Sequence, residues 1–444
     1  MHEQRQLEGR GHGAVATKAI RAGTCFLRCD PVAALPLDMS KTCATCFSPG
    51  TRRCGLCKTL HYCSRPCQLA DWAVHAAECT YLSKHLHSNP MTPTLLLAIR
   101  ILRSEASMAA VEHLVSNLDA HEQSKLDDYR DMGMLVLSFM TRMKLKAALP
   151  TLDRVVTLFG QFNCNAFTVC TPEQVPVGIG VFPDAALLNH SCAPNCILAF
   201  DKRQLAIRTI RDVSIGEELT ISYIELMTCR SERQAELEAS YFFTCSCIRC
   251  STPEDAATSE LRHPLTDPTC ESEEPSHGDA LLGDILRLEA KADALEASHD
   301  TRAAVDCRLD AVEIARELYG PRHATVTRTL ETLANIITGT EHAAVATASD
   351  IAHARTAYES ALANQTHLYK RFNMEAFQGL CYLKYARLLV THFGSGTNSS
   401  EEAVAALRTA CRLLTLSHGQ DAPLVKDAIE LLHDTQRQTM DWSR

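Results

Sequence analysis

The sequence predicts an α+β multidomain chain, and three observations carry that prediction. A ladder of metal-ligand residues, Cys43, Cys46, Cys54, Cys57, Cys63, Cys67, His75 and Cys79, marks a small metal-folded module. A Gly216-Glu-Glu turn runs into the β-type segment Leu219-Thr-Ile-Ser-Tyr223, close to a second cysteine cluster, Cys245-x-Cys-x-x-Cys250. From about residue 280 onward, apolar residues recur at helical spacing through to the C-terminus, with no β-type alternation. At 444 residues and 46% hydrophobic content the chain has room for several domains with real cores.

The ladder comes first in the chain's chemistry. A tetrahedral zinc site takes four sulfur or nitrogen ligands, and two close cysteines supply half of one. Eight ligands in four pairs therefore make two sites; the spacing does not say which pairs go together. Disulfides are a poor account, since a disulfide framework does not predict a histidine at a ligand position. The 21 cysteines accompany a polar N-terminus, MHEQRQLEGRGHG, without the apolar core of a signal peptide, and no apolar run approaches a membrane span. A reducing compartment, cytoplasm or nucleus, fits clustered thiols. The formal net charge of −9 argues against a generic nucleic-acid binder. Locally, Lys41, Arg52, Arg53, Lys58, Arg65 and Lys84 against Asp71 and Glu78 give the ladder region a charge of six minus two, +4. That reads as a solvated basic face; a DNA-contacting patch would require salt-dependent affinity.

Residues 90–160 read as helical, with apolar segments at Thr94–Leu102 and Met132–Met140. Leu187-Leu-Asn-His-Ser-Cys-Ala-Pro-Asn-Cys196 follows, then the Gly216–Tyr223 segment, then Tyr241-Phe-Phe-Thr-Cys-Ser-Cys-Ile-Arg-Cys250. Residues 251–279, rich in Ser, Thr, Pro, Asp and Glu, read as a linker. In the C-terminal part, Leu281–Leu288, Val305–Leu318, Leu380–Leu389 and Leu424–Leu432 mark amphipathic helices, with breaks at Gly320-Pro321 and Gly394-Ser-Gly396. Paired helices of this kind stack into solenoids, though no clean 34-residue repeat consensus is visible.

The ladder, with Cys63-Ser-Arg-Pro-Cys67 and Trp72-Ala-Val-His75, resembles a MYND zinc finger. The Asn189-His-Ser-Cys192, Gly-Glu-Glu…Tyr223 and Cys245–Cys250 motifs, preceded by Arg10-Gly-His-Gly13 and Ile20-Arg-Ala-Gly23, resemble a SET-domain methyltransferase. A finger inserted between the opening of a SET domain and its Asn-His-Ser-Cys motif is the layout of the SET-and-MYND (SMYD) lysine methyltransferases. That resemblance implies a β-rich SET domain split by a MYND finger and a helical insert, a Cys-rich post-SET segment, and an all-α TPR-like C-terminal domain. The expected segments are 1–40 for the first part of SET, 41–83 for the finger, 84–160 for the insert, and 161–228 for core SET. The post-SET zinc segment follows at 229–255, a linker at 256–279, and the helical domain at 280–444.

The resemblance also implies a ligand set and a chemistry. Cys43, Cys46, Cys63 and Cys67 would hold one zinc, and Cys54, Cys57, His75 and Cys79 a second. Cys245, Cys247 and Cys250 supply only three ligands, and Cys192 would complete a third closed site. The methyl donor S-adenosylmethionine would be bound by Arg10, Gly11, His12, Gly13, Asn165, Asn189, His190, Tyr223 and Phe243. His12 departs from the asparagine many relatives carry there, and His190 would contribute its backbone rather than its ring. Tyr223 and Tyr241 would line the lysine channel as catalytic residues. The implied function is S-adenosylmethionine-dependent methylation of lysine on histone or non-histone proteins, with three structural zincs, by a protein expected to be monomeric. The competing expectation is a non-catalytic adaptor, recruiting proline-rich peptides through the finger and other proteins through its C-terminal helices. Loss of the channel tyrosine or the Asn-His pair would be its signature, and both are present.

Overall fold

The computed structural model describes residues 1–85, 91–143, 148–252, 277–339, 346–393 and 397–442. Most of the expected linker and the Gly394–Gly396 break lie outside the described residues. The chain divides into two compact units. One comprises Met1–Asn189, Leu198–Ile221 and Glu238–Phe243; the other comprises His190–Ile197, Ser222–Leu237 and Thr244–Arg444.

The first unit is built on small antiparallel sheets. Strands β1 (His2–Leu7) and β2 (Gly11–Ala16) form a hairpin with Leu7 opposite Gly11 and Arg5 opposite Gly13. Gly9 and Gly11 take φ of 68° and 66° at this turn, the left-handed region that glycine enters freely. A later strand, Glu218–Ile221, pairs antiparallel with β2, placing Glu218 opposite Val15. Strand β3 (Cys25–Cys29) pairs with Gln204–Thr209, and β4 (Ala33–Pro36) with Pro176–Val181, which also pairs with Ala166–Cys170.

Between these strands the chain builds the ladder module and the helical insert. A two-residue hairpin, Arg52–Arg53 against His61–Tyr62, leads into helix α1 (Arg65–His85). Helices α2 (Pro93–Leu102), α3 (Glu105–Val111), α4 (Gln123–Met143) and α5 (Leu152–Asn165) follow. Thr92 caps α2 by accepting from the Leu95 N–H, and Pro93 occupies its first turn, where no N–H is needed. The expected helical segments at 94–102 and 132–140 lie in α2 and α4.

One apolar core joins these parts. Leu60 and Tyr62 of the module, Leu96, Leu97, Ile99 and Ile101 of α2, Phe139 and Met140 of α4, Phe159 of α5, and Leu35 and Val181 of the sheet belong to a single buried cluster. The module is therefore packed into the first unit. A β-carbon added at Gly178 would lie 2.4 Å from the Phe47 ring, so the strand is glycine where the module's aromatic closes on it.

In the second unit, long helices span His277–Ala297, Thr301–Tyr319, Ala324–Thr338, Ala348–Arg371, Gly379–Phe393, Thr397–His418 and Pro423–Trp442. Each packs against the next in sequence, and their apolar faces form one core including Val305, Leu330, Tyr358, Leu389, Leu407 and Val425. The break read at Gly320-Pro321 is real, with Gly320 at φ 82° ending its helix. Among the described residues no helix is long and apolar enough to cross a membrane.

Candidate active site and metal clusters

Twelve ligand residues gather into three clusters, each with its ligand atoms within 4.8 Å of one another: Cys43, Cys46, Cys63, Cys67; Cys54, Cys57, His75, Cys79; and Cys192, Cys245, Cys247, Cys250. The grouping in the first two is interleaved, as the resemblance implied. Helix α1 explains half of it. Cys67, His75 and Cys79 fall at spacings of eight and four, so His75 and Cys79 share a face one turn apart. Zn–S bonds of ~2.3 Å in a tetrahedron place sulfurs ~3.8 Å apart. The S···S separations are 3.5 Å for Cys46–Cys63, 3.6 Å for Cys54–Cys79, 4.0 Å for Cys192–Cys245 and 3.5 Å for Cys192–Cys250. Each cluster can thus hold a tetrahedral metal ion, with no position left over for a substrate.

The second cluster sits against a buried ionic network. Arg100, from α2, donates from Nε and Nη2 to the two Glu78 carboxylate oxygens, each at 3.0 Å, and from Nη1 to Asp71 Oδ1 at 3.2 Å. Tyr62 donates its hydroxyl to Asp71 Oδ2 at 2.8 Å. Glu78 lies 3.6 Å from Nδ1 of the ligand His75 and is fully buried. Burial works against its charge, but Arg100 and His75 outweigh it and hold the Glu78 carboxyl below its ordinary range. Asp71 and Glu78 therefore do not offset charge on the module's surface; the six basic residues of this segment are all exposed.

In the first unit a polar constellation forms at the β1–β2 hairpin. Asn189 Nδ2 donates to Glu218 Oε1 at 2.9 Å and to the Arg10 carbonyl at 3.3 Å. Arg10 Nη1 pairs with Glu218 Oε2 at 3.0 Å. A β-carbon at Gly13 would meet Asn189 Nδ2 at 2.8 Å and Glu218 Oε1 at 2.9 Å, so only glycine lets these side chains reach the strand. The structure brings together Arg10, Gly13 and Asn189, and adds Glu218, which in the sequence is only part of the Gly216-Glu-Glu turn. A cation, an amide and a carboxylate side by side complement a zwitterionic amino-acid group. Gly11 opens β2 and His12 is exposed on it, opposite Gln6.

Asn165 closes α5, buried, and gives its amide hydrogens to the Val115 and Gln161 carbonyls at 2.8 and 2.7 Å. A ligand would meet only its carboxamide oxygen. Tyr241 ends the helix Arg230–Tyr241, and Tyr241 and Phe243 flank Phe242, whose φ of 63° turns the chain sharply. A non-glycine residue there costs roughly 1–3 kcal/mol. Two contacts hold the turn. Asn163 Nδ2 donates to the Ser240 carbonyl at 2.8 Å, and the His121 ring meets Phe242 edge-on at 4.6 Å.

In the second unit, His190 is buried and its ring lies between two partners. Nδ1 accepts from the Tyr223 backbone N–H at 3.0 Å, and Nε2 lies 3.2 Å from Cys192 Sγ. Arg249 and Arg233, both buried, bind the carbonyls of Leu226 and Thr228. Gln234 brackets Cys245, donating to its carbonyl at 2.7 Å and accepting from its N–H at 2.8 Å. None of Glu218, Arg233, Gln234 or Arg249 carried a signal in the sequence, because their partners, from 5 residues away for Arg233 and Thr228 to 57 for Arg249 and Cys192, follow no helical or strand spacing.

Residues 11–224 match the SET domain family model. The chain is 33% identical over 260 residues to the histone-lysine N-methyltransferase SMYD3 of Homo sapiens, covering 56% of this chain and 61% of that protein. It is 33% identical over 275 residues to the human N-lysine methyltransferase SMYD2, covering 59% and 62% respectively. The histone-lysine N-methyltransferase ASHR1 of Arabidopsis thaliana matches at 25% identity across 97% of this chain and 94% of its own length. The match thus spans less than two thirds of the two human proteins. Residues 11–224 thus match a SET domain, and the chain is similar to the SMYD and ASHR1 methyltransferases.

Proposed function

We propose that this protein is an S-adenosylmethionine-dependent protein-lysine N-methyltransferase. The observation that carries the reading is the Arg10–Gly13–Asn189–Glu218 constellation, built from motif residues of a SET domain and matched in charge to an amino-acid head group. When bound, S-adenosylmethionine supplies an electrophilic methyl group on a sulfonium. Arg10 and Asn189 would hold the head group, with Gly11, His12, Gly13, Asn165, His190, Tyr223 and Phe243 completing the binding set.

The chain's own residues must then solve a protonation problem. A free lysine amine, with a pKa near ~10.4, is only about 0.1% neutral at pH 7.4, a deficit of about 4 kcal/mol. Enclosure by aromatic side chains disfavours the ammonium form, and a neighbouring cation lowers its pKa further. Tyr223 and Tyr241 are assigned to this task; their hydroxyls would orient the amine for in-line attack and limit how many methyl groups fit. The remaining contribution is alignment. The three clusters, each with four protein ligands, are assigned to structural zinc.

The substrates would be lysine-bearing proteins, histone or non-histone, met by a monomer in the cytoplasm or nucleus. The ladder module, read as a MYND finger, keeps Leu56, Leu69, Trp72 and Val74 exposed. Such residues favour a proline-rich peptide as a second, non-catalytic partner. The C-terminal helices, read as TPR-like, would add protein contacts. Calorimetric titration of the zinc-loaded protein with S-adenosylmethionine tests the central reading. Saturable one-to-one binding that weakens in Asn189→Ala supports it; no binding would leave the adaptor reading in its place.

A further inference from the structure

The third metal cluster and the segment bearing Tyr223 share a set of buried contacts. The Tyr223 backbone N–H is an obligatory donor, so His190 Nδ1 accepts from it at 3.0 Å and carries no proton. In the neutral ring the proton then sits on Nε2, which faces Cys192 Sγ at 3.2 Å. One imidazole thus spans from a metal ligand to the backbone of the assigned catalytic tyrosine. His190 is 2% exposed.

A second set of contacts runs in parallel. Arg249 Nη1 donates to the Cys192 carbonyl at 3.3 Å and to the Leu226 carbonyl at 2.9 Å. Arg233 donates to the Thr228 carbonyl at 2.7 Å and places Nη2 3.7 Å from Cys250 Sγ. Both guanidiniums are buried, and among the described residues neither makes an ion pair with a carboxylate. Two like charges buried together need an anion. Four thiolates around a divalent zinc carry a net charge of −2, which two arginines neutralise. The arginines and the metal centre therefore require each other, and the backbone from Leu226 to Thr228, just beyond Tyr223, is fastened to both.

We propose that His190 is a positioning residue: its imidazole ties the Tyr223 backbone to the metal ligand Cys192, so the third metal centre sets where the catalytic tyrosine stands. Arg233 and Arg249 are its electrostatic partners. The proposal rests on the methyltransferase reading for its kinetic consequence but not for the linkage itself.

The test uses the full-length protein with cadmium in place of zinc, and two variants that separate the two bonds of His190. His190→Asn puts a carboxamide oxygen near the Nδ1 position, keeping an acceptor for Tyr223 while losing the donor to sulfur. His190→Gln reaches with an N–H toward Cys192 but cannot also accept from Tyr223. In the cadmium-113 NMR spectrum, His190→Asn moves one of three resonances, and a chromogenic chelator removes that metal 10–100-fold faster, the usual scale for an outer-shell partner. His190→Gln lowers kcat by about tenfold or more with little change in the KM for S-adenosylmethionine, whereas His190→Asn retains more of kcat. Unmoved resonances and unchanged release in His190→Asn overturn the linkage. Equal losses of kcat and KM in both variants overturn the positioning role. If the unsubstituted protein transfers no methyl group but the resonance moves and release quickens in His190→Asn, the linkage stands and the enzyme reading fails.

Discussion

Removing Arg100 would expose how the ladder module is held in the first unit. Its guanidinium is the cation shared by Glu78 and Asp71, at 3.0 and 3.2 Å, and the three side chains are 0–7% exposed. Arg100→Met fits the volume but strands two buried carboxylates. Breaking one partner of a buried pair costs roughly 3–5 kcal/mol. Arg103, 3.5 Å from Glu78, and the Tyr62 hydroxyl on Asp71 offset part of this, so the lower end, about 3 kcal/mol, is expected. At roughly 2–4 °C per kcal/mol for a unit of this size, Tm falls by about 6–12 °C with zinc saturating. Since Glu78 faces Nδ1 of His75 at 3.6 Å, its displacement should lower zinc affinity at the Cys54, Cys57, His75, Cys79 cluster about 10–100-fold. The Asp71→Asn, Glu78→Gln, Arg100→Met triple variant leaves no stranded charge and should be more stable than Arg100→Met alone. Differential scanning fluorimetry with a zinc-release assay reads both effects. A Tm shift below about 2 °C for Arg100→Met, or a triple variant no better than the single one, would refute the argument.

Three further outcomes follow from the same geometry. Glu218→Ala removes a side-chain partner shared by Arg10 and Asn189 and should weaken S-adenosylmethionine binding about tenfold, about 1.4 kcal/mol, by calorimetry. Tyr223→Phe should lower kcat about hundredfold, with a smaller loss of cofactor affinity because the ring that completes the binding set is kept while the hydroxyl that aligns the amine is lost. Glu331, whose carboxylate accepts from Gln365 Nε2 at 2.9 Å, has its pKa raised by burial, only partly offset by Lys384. Its contribution is fully present below the ordinary carboxylate pKa and is lost as pH rises through its raised folded value. Glu331→Gln should therefore raise Tm at pH 8, at roughly 2–4 °C for each kcal/mol gained, and the gain should shrink toward pH 5.5. A gain that grows as pH falls would contradict the sign.

The three Cys/His clusters were legible because zinc imposes local rules: soft donors at short spacings, with a histidine at a ligand position. Even the missing fourth ligand at Cys192 could be assigned by resemblance, 53 residues from Cys245. The helices were legible from their apolar pattern: the C-terminal helices repeat apolar residues at helical spacing, and α2 is a near-continuous apolar run, buried on every side from Leu95 to Leu102. What escaped were the polar partners. Asp71 and Glu78 looked like surface charge, since nothing local points to Arg100, 29 and 22 residues away. Glu218 looked like a turn residue, although its carboxylate holds a side chain 29 residues upstream. His190 was assigned by its backbone, and its ring turns out to join Cys192 to a residue 33 positions further on. Apolar faces announce themselves by repetition along the chain; a buried hydrogen bond needs a partner that the fold alone supplies.

Methyl transfer to lysine can be measured directly. The most direct measurement incubates the zinc-loaded protein with S-adenosylmethionine carrying a labelled methyl group, core histones and a whole-cell extract, and locates the label by peptide mass spectrometry. Label is expected on lysine side-chain nitrogens, reduced about hundredfold in Tyr223→Phe. Label that is absent from every lysine, or that persists undiminished in Tyr223→Phe, would contradict that expectation.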